Sequence, residues 1–199
     1  MEVLQSEFTK SSSSIKQCPE ESTPEFAFIG RSNVGKSSLI NMLTNNKKLA
    51  KVSGKPGKTQ LINHFLINKS WFLVDLPGYG WAKVAKTEKA KWGEMIHDYL
   101  IERKNLMMTF VLVDSRLDPQ PIDVEFINWL GENGLPLGII FTKSDKQSKN
   151  KSQSAMAKYR KTLKGVWNEL PPFFLTSSTN FDGKEDVLNY IEEVLSLGN

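Results

Sequence analysis

The chain has 199 residues, 26 Lys plus Arg against 22 Asp plus Glu, a formal net charge of +4 and one cysteine. That length fits one domain able to bury its own core, and a composition 39% hydrophobic and 24% charged excludes disordered and fibrous classes. Cys18 alone cannot make an internal disulfide, which fits a reducing, cytoplasmic setting, and no apolar stretch approaches the roughly 20 residues that span a bilayer.

In chain order, residues 1–23 read as an N-terminal extension packed on or near the domain, with Ser11–Ser14 as a flexible turn and no secretory leader. Residues 24–199 read as a single domain. Apolar runs of strand length then recur at Phe26–Ile29, Phe65–Ile67, Trp71–Val74, Met107–Val113, Leu137–Phe141 and Phe173–Leu175. Short runs of this kind suit strands buried on both faces of a mostly parallel sheet. Helical patterns lie between them. One follows Gly35 and one follows Pro121. Trp92, Met95, Ile96, Tyr99 and Leu100 form a stripe, as do Met156, Tyr159, Leu163, Val166, Trp167 and Leu170, and Val187, Leu188, Ile191, Val194 and Leu195. These stripes are read as core-facing. Strands alternating with helices predict a three-layer α/β sandwich.

The charge is unevenly spread. Residues 1–25 hold Lys10 and Lys16 against Glu2, Glu7, Glu20, Glu21 and Glu25, a net of −3. Residues 182–199 hold Lys184 against Asp182, Glu185, Asp186, Glu192 and Glu193, a net of −4, so the middle of the chain carries +11. Two basic runs stand out: Asn45–Thr59, with Lys47, Lys48, Lys51, Lys55 and Lys58, and Lys143–Lys164, where only Asp145 opposes eight basic residues. A solvated face is the ordinary reading of either run, and a polyanionic partner is the other.

Gly30-Arg31-Ser32-Asn33-Val34-Gly35-Lys36-Ser37 follows an apolar run and opens a helical one, the context that a phosphate-binding loop requires. Its backbone N–H groups and the helix N-terminus favour a phosphate. Lys36 is expected on the β- and γ-phosphates and the Ser37 hydroxyl on magnesium. Asp75 ends the run Trp71–Val74 and begins Asp75-Leu76-Pro77-Gly78. A strand-end acid can anchor magnesium, and the Gly78 N–H can meet a γ-phosphate. Thr142-Lys143-Ser144-Asp145 selects the base. A carboxylate accepts two hydrogen bonds from guanine N1–H and N2–H, whereas adenine would leave Asp145 unpaired. The Lys143 stem is expected to cover one face of the base, with backbone N–H groups of Thr176, Ser177 and Ser178 near the guanine carbonyl. His64 and His97 lack companions at metal-ligand spacing, and Cys18 has no nucleophile context.

The strings Ala27–Asn41, Pro56-Gly57-Lys58-Thr59-Gln60, Val74–Gly80 and Thr142–Asp145 closely resemble the EngB (YihA) family, within the TrmE-Era-EngA-EngB-septin-like GTPases. The resemblance implies a Ras-like P-loop NTPase domain, with a mostly parallel six-stranded sheet and one antiparallel strand. It implies binding and slow hydrolysis of GTP, with GDP and Mg2+ as ligands. Ser37, Thr59 and Asp75 would hold the metal, and Lys36, Thr59, Gly78 and Asn33 would serve the reaction. Gly57, Lys58, Thr59, Gln60 and Leu61 would contact the nucleotide, Thr59 as the threonine of the first switch within the loop Asn45–Gln60, and the segment through Tyr79, Gly80 and Trp81 would form the second switch. Family members are associated with assembly of the large ribosomal subunit and with normal septum formation. The expected partner is therefore a precursor of that subunit, rRNA and ribosomal proteins included, met by a cytoplasmic monomer without a membrane role. Tyr79 stands where many GTPases place a water-orienting glutamine, so a missing element is expected from elsewhere, K+ held with the help of the Asn33 carbonyl or a group donated by a partner. The competing readings are an ATP-using enzyme of the same loop class, opposed by Asp145, and a nucleotide-gated interaction protein of the division apparatus.

Overall fold

The structure, a computed structural model, describes residues 1–50, 61–79 and 86–197, the side chains of 86–92 excepted. Seven strands form one sheet in the order β1-β3-β4-β2-β5-β6-β7. They are β1 Ser6–Ser12, β2 Glu25–Gly30, β3 Ile62–Ile67, β4 Trp71–Asp75, β5 Leu106–Asp114, β6 Leu137–Thr142 and β7 Phe173–Leu175. Five α-helices accompany them: α1 Lys36–Leu43, α2 Lys86–Glu102, α3 Pro121–Glu132, α4 Lys149–Lys164 and α5 Lys184–Leu197.

The six expected strands are all present, and β3 is the expected antiparallel strand, opposed to both β1 and β4. The seventh strand, β1, comes from the N-terminal extension. Ser11 and Ser12, expected in a flexible turn, are paired with Asn63 and Ile62 of β3, and Ser12 is fully buried. The periodicity of the fourth helix also runs on too far in the sequence. α4 ends at Lys164, with Gly165 as its C-cap, and Val166 beyond it is exposed.

Alternation along the central strands builds two cores. Phe26 and Phe28 of β2, with Phe110 and Leu112 of β5, meet Leu39, Ile40 and Leu43 of α1 and Val187, Leu188 and Ile191 of α5. Ala27 and Ile29, with Val111 and Val113, meet Ile96, Tyr99 and Leu100 of α2, Ile127 and Leu130 of α3, and Met156, Tyr159 and Leu163 of α4. The sheet is thus a filled middle layer, and its parallel strands read as continuous apolar runs because both faces are covered. Register fixes where the site lies. Phe28 pairs with Asp75, Gly30 with Leu112, Asp114 with Thr142 and Phe141 with Leu175. The carboxyl ends of β2, β4, β5, β6 and β7 therefore open on one edge, where α/β sheets bind ligands.

Candidate nucleotide site

The phosphate loop runs from the end of β2 to the start of α1. Two residues give it its curl: Asn33 with φ 63° and Gly35 with φ 106°, both left-handed. Glycine takes that conformation without strain, and asparagine tolerates it better than most residues. The loop is pinned from beneath. Val34 is buried, and its carbonyl accepts the Thr142 hydroxyl at 2.6 Å. Lys143 Nζ donates to Asn33 O at 2.6 Å and to Asp114 Oδ2 at 2.9 Å. The first turn of α1 carries no acidic residue, so nothing there opposes an anion.

Lys36, expected on phosphate, and Asp75, expected on magnesium, lie against each other at the carboxyl end of β4. Lys36 Nζ donates to Asp75 Oδ1 and, at 2.7 Å, to the Leu76 carbonyl. Burial pulls the Lys36 ammonium down from its ordinary range, while contact with the Asp75 carboxylate favours its charged form. Ser37 and Asp75 offer hard oxygen donors, which suit Mg2+ together with phosphate oxygens. Among the described residues, no cluster of His, Cys, Asp and Glu forms a metal site of its own.

The segment Thr142–Asp145, expected to read guanine, is held across two strand ends. The Ser177 hydroxyl donates to Asp145 Oδ1 at 2.8 Å, and Lys146 Nζ lies 3.0 Å from Oδ2. Partial burial pushes the Asp145 carboxyl up, but these bonds outweigh it and hold the group below its usual range. Ser144 N donates to Thr176 O at 3.1 Å, so the Thr142–Asp145 and Thr176–Ser178 segments form one unit.

This geometry agrees with comparisons to known proteins. A family model described as a 50S ribosome-binding GTPase matches residues 25–143. A probable GTP-binding protein EngB of Phocaeicola vulgatus is 54% identical over 194 residues, covering 98% of this chain and 97% of that protein. The chain belongs to the EngB family. A second EngB relative, from Flavobacterium psychrophilum, is 57% identical over 195 residues, covering 98% of this chain and 95% of its own length. A crystal structure described as a probable EngB superposes with a TM-score of 0.69 at 27% identity, over 86% of this chain and 98% of that one.

As an EngB protein the chain binds GTP and is a GTPase, and its phosphate loop, Asp75 and Asp145 converge on one edge of the sheet. Of the nucleotide contacts expected from Gly57 to Leu61, Leu61 is described and exposed. Gly57, Lys58, Thr59 and Gln60 lie outside the described residues, as do Gly80 and Trp81 and the side chain of Trp92. Tyr79 is described, and its phenol donates to Asp123 Oδ1 at 3.1 Å. Burial and the Asp123 charge raise its pKa well above the ordinary phenol value, so it is no proton acceptor for water.

Sequence reading missed two acids. Asp114 ends β5 as Asp75 ends β4, and it accepts from Arg116 at 2.7 Å and Lys143 at 2.9 Å. Burial pushes it up, and those cations hold it at about 2. The same strand-end signal that marks Asp75 marks Asp114. Asp123, in the first turn of α3, carries no such signal.

Proposed function

We propose that this EngB chain is a GTP-driven switch in assembly of the large ribosomal subunit, acting in the cytoplasm as a monomer. The observation that carries the reading is the outer face of α4. Lys149, Lys151, Lys158, Arg160, Lys161 and Lys164 are all exposed there, and the helix contains no acidic residue. This face begins just beyond the guanine-reading segment. Clustered cations on one helix face suit rRNA phosphates. The matching family's description as a ribosome-binding GTPase supports the same partner. Among the described residues no helix is long and apolar enough to cross a membrane. The link to septum formation then follows from a shortage of finished subunits, in preference to direct contact with the division apparatus.

The residues divide the work. Backbone N–H groups of the phosphate loop cradle the phosphates, and Lys36 leaves Asp75 to bridge them. Asp75, Ser37 and, from the first switch, Thr59 would hold Mg2+, which would neutralise phosphate charge. Gly78 presents its N–H to the γ-phosphate. Asp145 accepts from guanine, and Lys143 covers the base. With Tyr79 in place of a water-orienting glutamine, intrinsic turnover is slow; Asn33 would help hold K+, which would offset charge at the phosphates, unless a partner group does so.

Affinity purification of the tagged chain tests this reading, with a slowly hydrolysed GTP analogue against GDP. Enrichment of large-subunit precursors with the analogue alone supports it, with binding that falls steeply as salt rises. Equal recovery in both nucleotides, or none, refutes it. Depletion that blocks septation while leaving subunit profiles intact would favour the division reading.

A further inference from the structure

Asp123 has no place in the nucleotide motifs, yet it is fully buried and joins three parts of the chain. Arg31 Nε of the phosphate loop donates to both carboxylate oxygens, at 3.1 and 3.2 Å. The Tyr79 hydroxyl donates to Oδ1 at 3.1 Å, and the Tyr159 hydroxyl of α4 to Oδ2 at 3.3 Å. The Tyr79 ring stacks on Phe126 of α3, with centroids 4.6 Å apart. A carboxylate withdrawn from water must be neutralised and hydrogen-bonded. One guanidinium and two phenols meet that need here.

Two of these donors face each other across a narrow gap. Arg31 and Tyr79 form an isolated parallel bridge. A Cβ added to Gly78 would come 2.8 Å from Gly30 O and 3.4 Å from Ser32 N. Gly78 therefore packs directly on the phosphate-loop backbone at Gly30 and Ser32. Gly78 is also the residue whose N–H is to meet the γ-phosphate. A γ-phosphate seated there moves Gly78 and Tyr79 away from Arg31, whereas GDP has no group to do so. Asp123 holds both sides of that gap, so the separation breaks one of its hydrogen bonds. Arg31 is fixed within the loop that cradles the phosphates, and the Tyr79 phenol is the bond released.

We propose that Asp123 is a positioning residue for nucleotide discrimination: it latches Tyr79 of the second switch to Arg31 of the phosphate loop, and the γ-phosphate opens the latch. The proposal rests on the GTP-driven switching argued above. A bond made in one conformer only biases the equilibrium between conformers by its own strength. The latch thus weakens GTP binding relative to GDP and keeps the switch closed until GTP arrives. Tyr159 provides an internal comparison. It makes the same kind of bond to the same carboxylate, from a helix that the γ-phosphate does not touch.

The test uses the full chain, with equilibrium affinities for GDP and a non-hydrolysable GTP analogue measured in wild type, Tyr79→Phe and Tyr159→Phe. Each variant loses one hydroxyl and keeps its ring. Tyr79→Phe is expected to raise the analogue-to-GDP affinity ratio about tenfold, equivalent to about 1.4 kcal/mol, with GDP affinity unchanged. Tyr159→Phe is expected to lower thermal stability to a similar extent and to leave the ratio at its wild-type value. An unchanged or lowered ratio in Tyr79→Phe, or an equal rise in Tyr159→Phe, overturns the latch and leaves Asp123 a packing hub. Failure of the switching reading is seen separately, as equal recovery of ribosomal precursors by the wild type in both nucleotides.

Discussion

Ser177 donates its hydroxyl to Asp145 at 2.8 Å, so the loop after β7 orients the carboxylate that ends the β6 loop. Ser177 is fully buried, and its Oγ also accepts from the backbone of Thr179 and Asn180. If Asp145 reads guanine as proposed, it is thereby fixed before the base arrives, which lowers the cost of ordering it on binding. Asp145→Asn should shift preference from guanine to xanthine nucleotides, because an amide can donate where xanthine presents an oxygen. Ser177→Ala should keep guanine preference but weaken GTP and GDP alike, by about fivefold to tenfold. Competition binding with GTP, XTP and ATP distinguishes these outcomes. Unchanged GTP affinity in Asp145→Asn would count against the guanine assignment.

Lys36 contacts Asp75 and the Leu76 carbonyl, and in the proposed nucleotide complex it exchanges these contacts for phosphate. Lys36→Ala removes the ammonium from both arrangements. Tight GTP binding should be lost, by about a hundredfold or more, since charge-assisted contacts to phosphate are the strong ones. The fold should persist, because the side chain belongs to neither apolar core. Titration with a fluorescent GTP analogue, alongside circular dichroism, separates lost binding from lost structure.

How far the sequence reaches depends on the separation of the interacting residues. The phosphate loop, Asp75 and the Thr142–Asp145 segment are short strings with fixed spacing, and all were legible. The central strands were legible because both faces are covered. β1 was not: only Ser12 of Ser6–Ser12 is buried, and the strand is held by backbone pairing to β3 rather than by an apolar pattern. Gly165 ended α4 where the stripe continued in the sequence toward Trp167. Asp123 could not be found by spacing, since its partners Arg31, Tyr79 and Tyr159 lie 92, 44 and 36 residues away.

Asn33 permits a test of the monovalent-cation idea. Its left-handed backbone and the bond from Lys143 to its carbonyl already give it a role in shaping the loop. If its side-chain carbonyl also helps hold K+, turnover in potassium should exceed turnover in sodium by about tenfold at equal ionic strength. Asn33→Ala should erase that difference while retaining GDP binding. Equal rates in the two salts for the wild type would dismiss the cation.

A buried ionic cluster at the opposite end of β2 governs stability in acid. Glu25 is fully buried. It accepts from Tyr99 at 2.5 Å and from Arg103 at 2.6 and 3.0 Å, and His64 Nε2 lies 3.2 Å away. Burial pushes the Glu25 carboxyl up, but the close approach of His64 and the bonds from Arg103 and Tyr99 outweigh it and hold the group at about 2, against 4.5 for a free side chain. The sign follows from which state binds protons first. Between pH 4.5 and about 2 the unfolded chain takes up a proton that the folded chain refuses. The contribution of Glu25 is therefore complete above that window and is lost as pH falls through it. The shift corresponds to about 3 kcal/mol. Glu25→Gln should cost a comparable amount at neutral pH, because buried Arg103 loses the carboxylate it bonds twice and keeps only the looser pair with Glu21 at 3.5 Å. It should also flatten the acid limb of the stability curve. Nucleotide affinity should be untouched, since Glu25 begins β2 and the phosphate loop follows its far end. Urea midpoints recorded from neutral pH down to about pH 2 for both proteins decide the matter, and an equally steep acid loss in the variant would remove Glu25 as its cause.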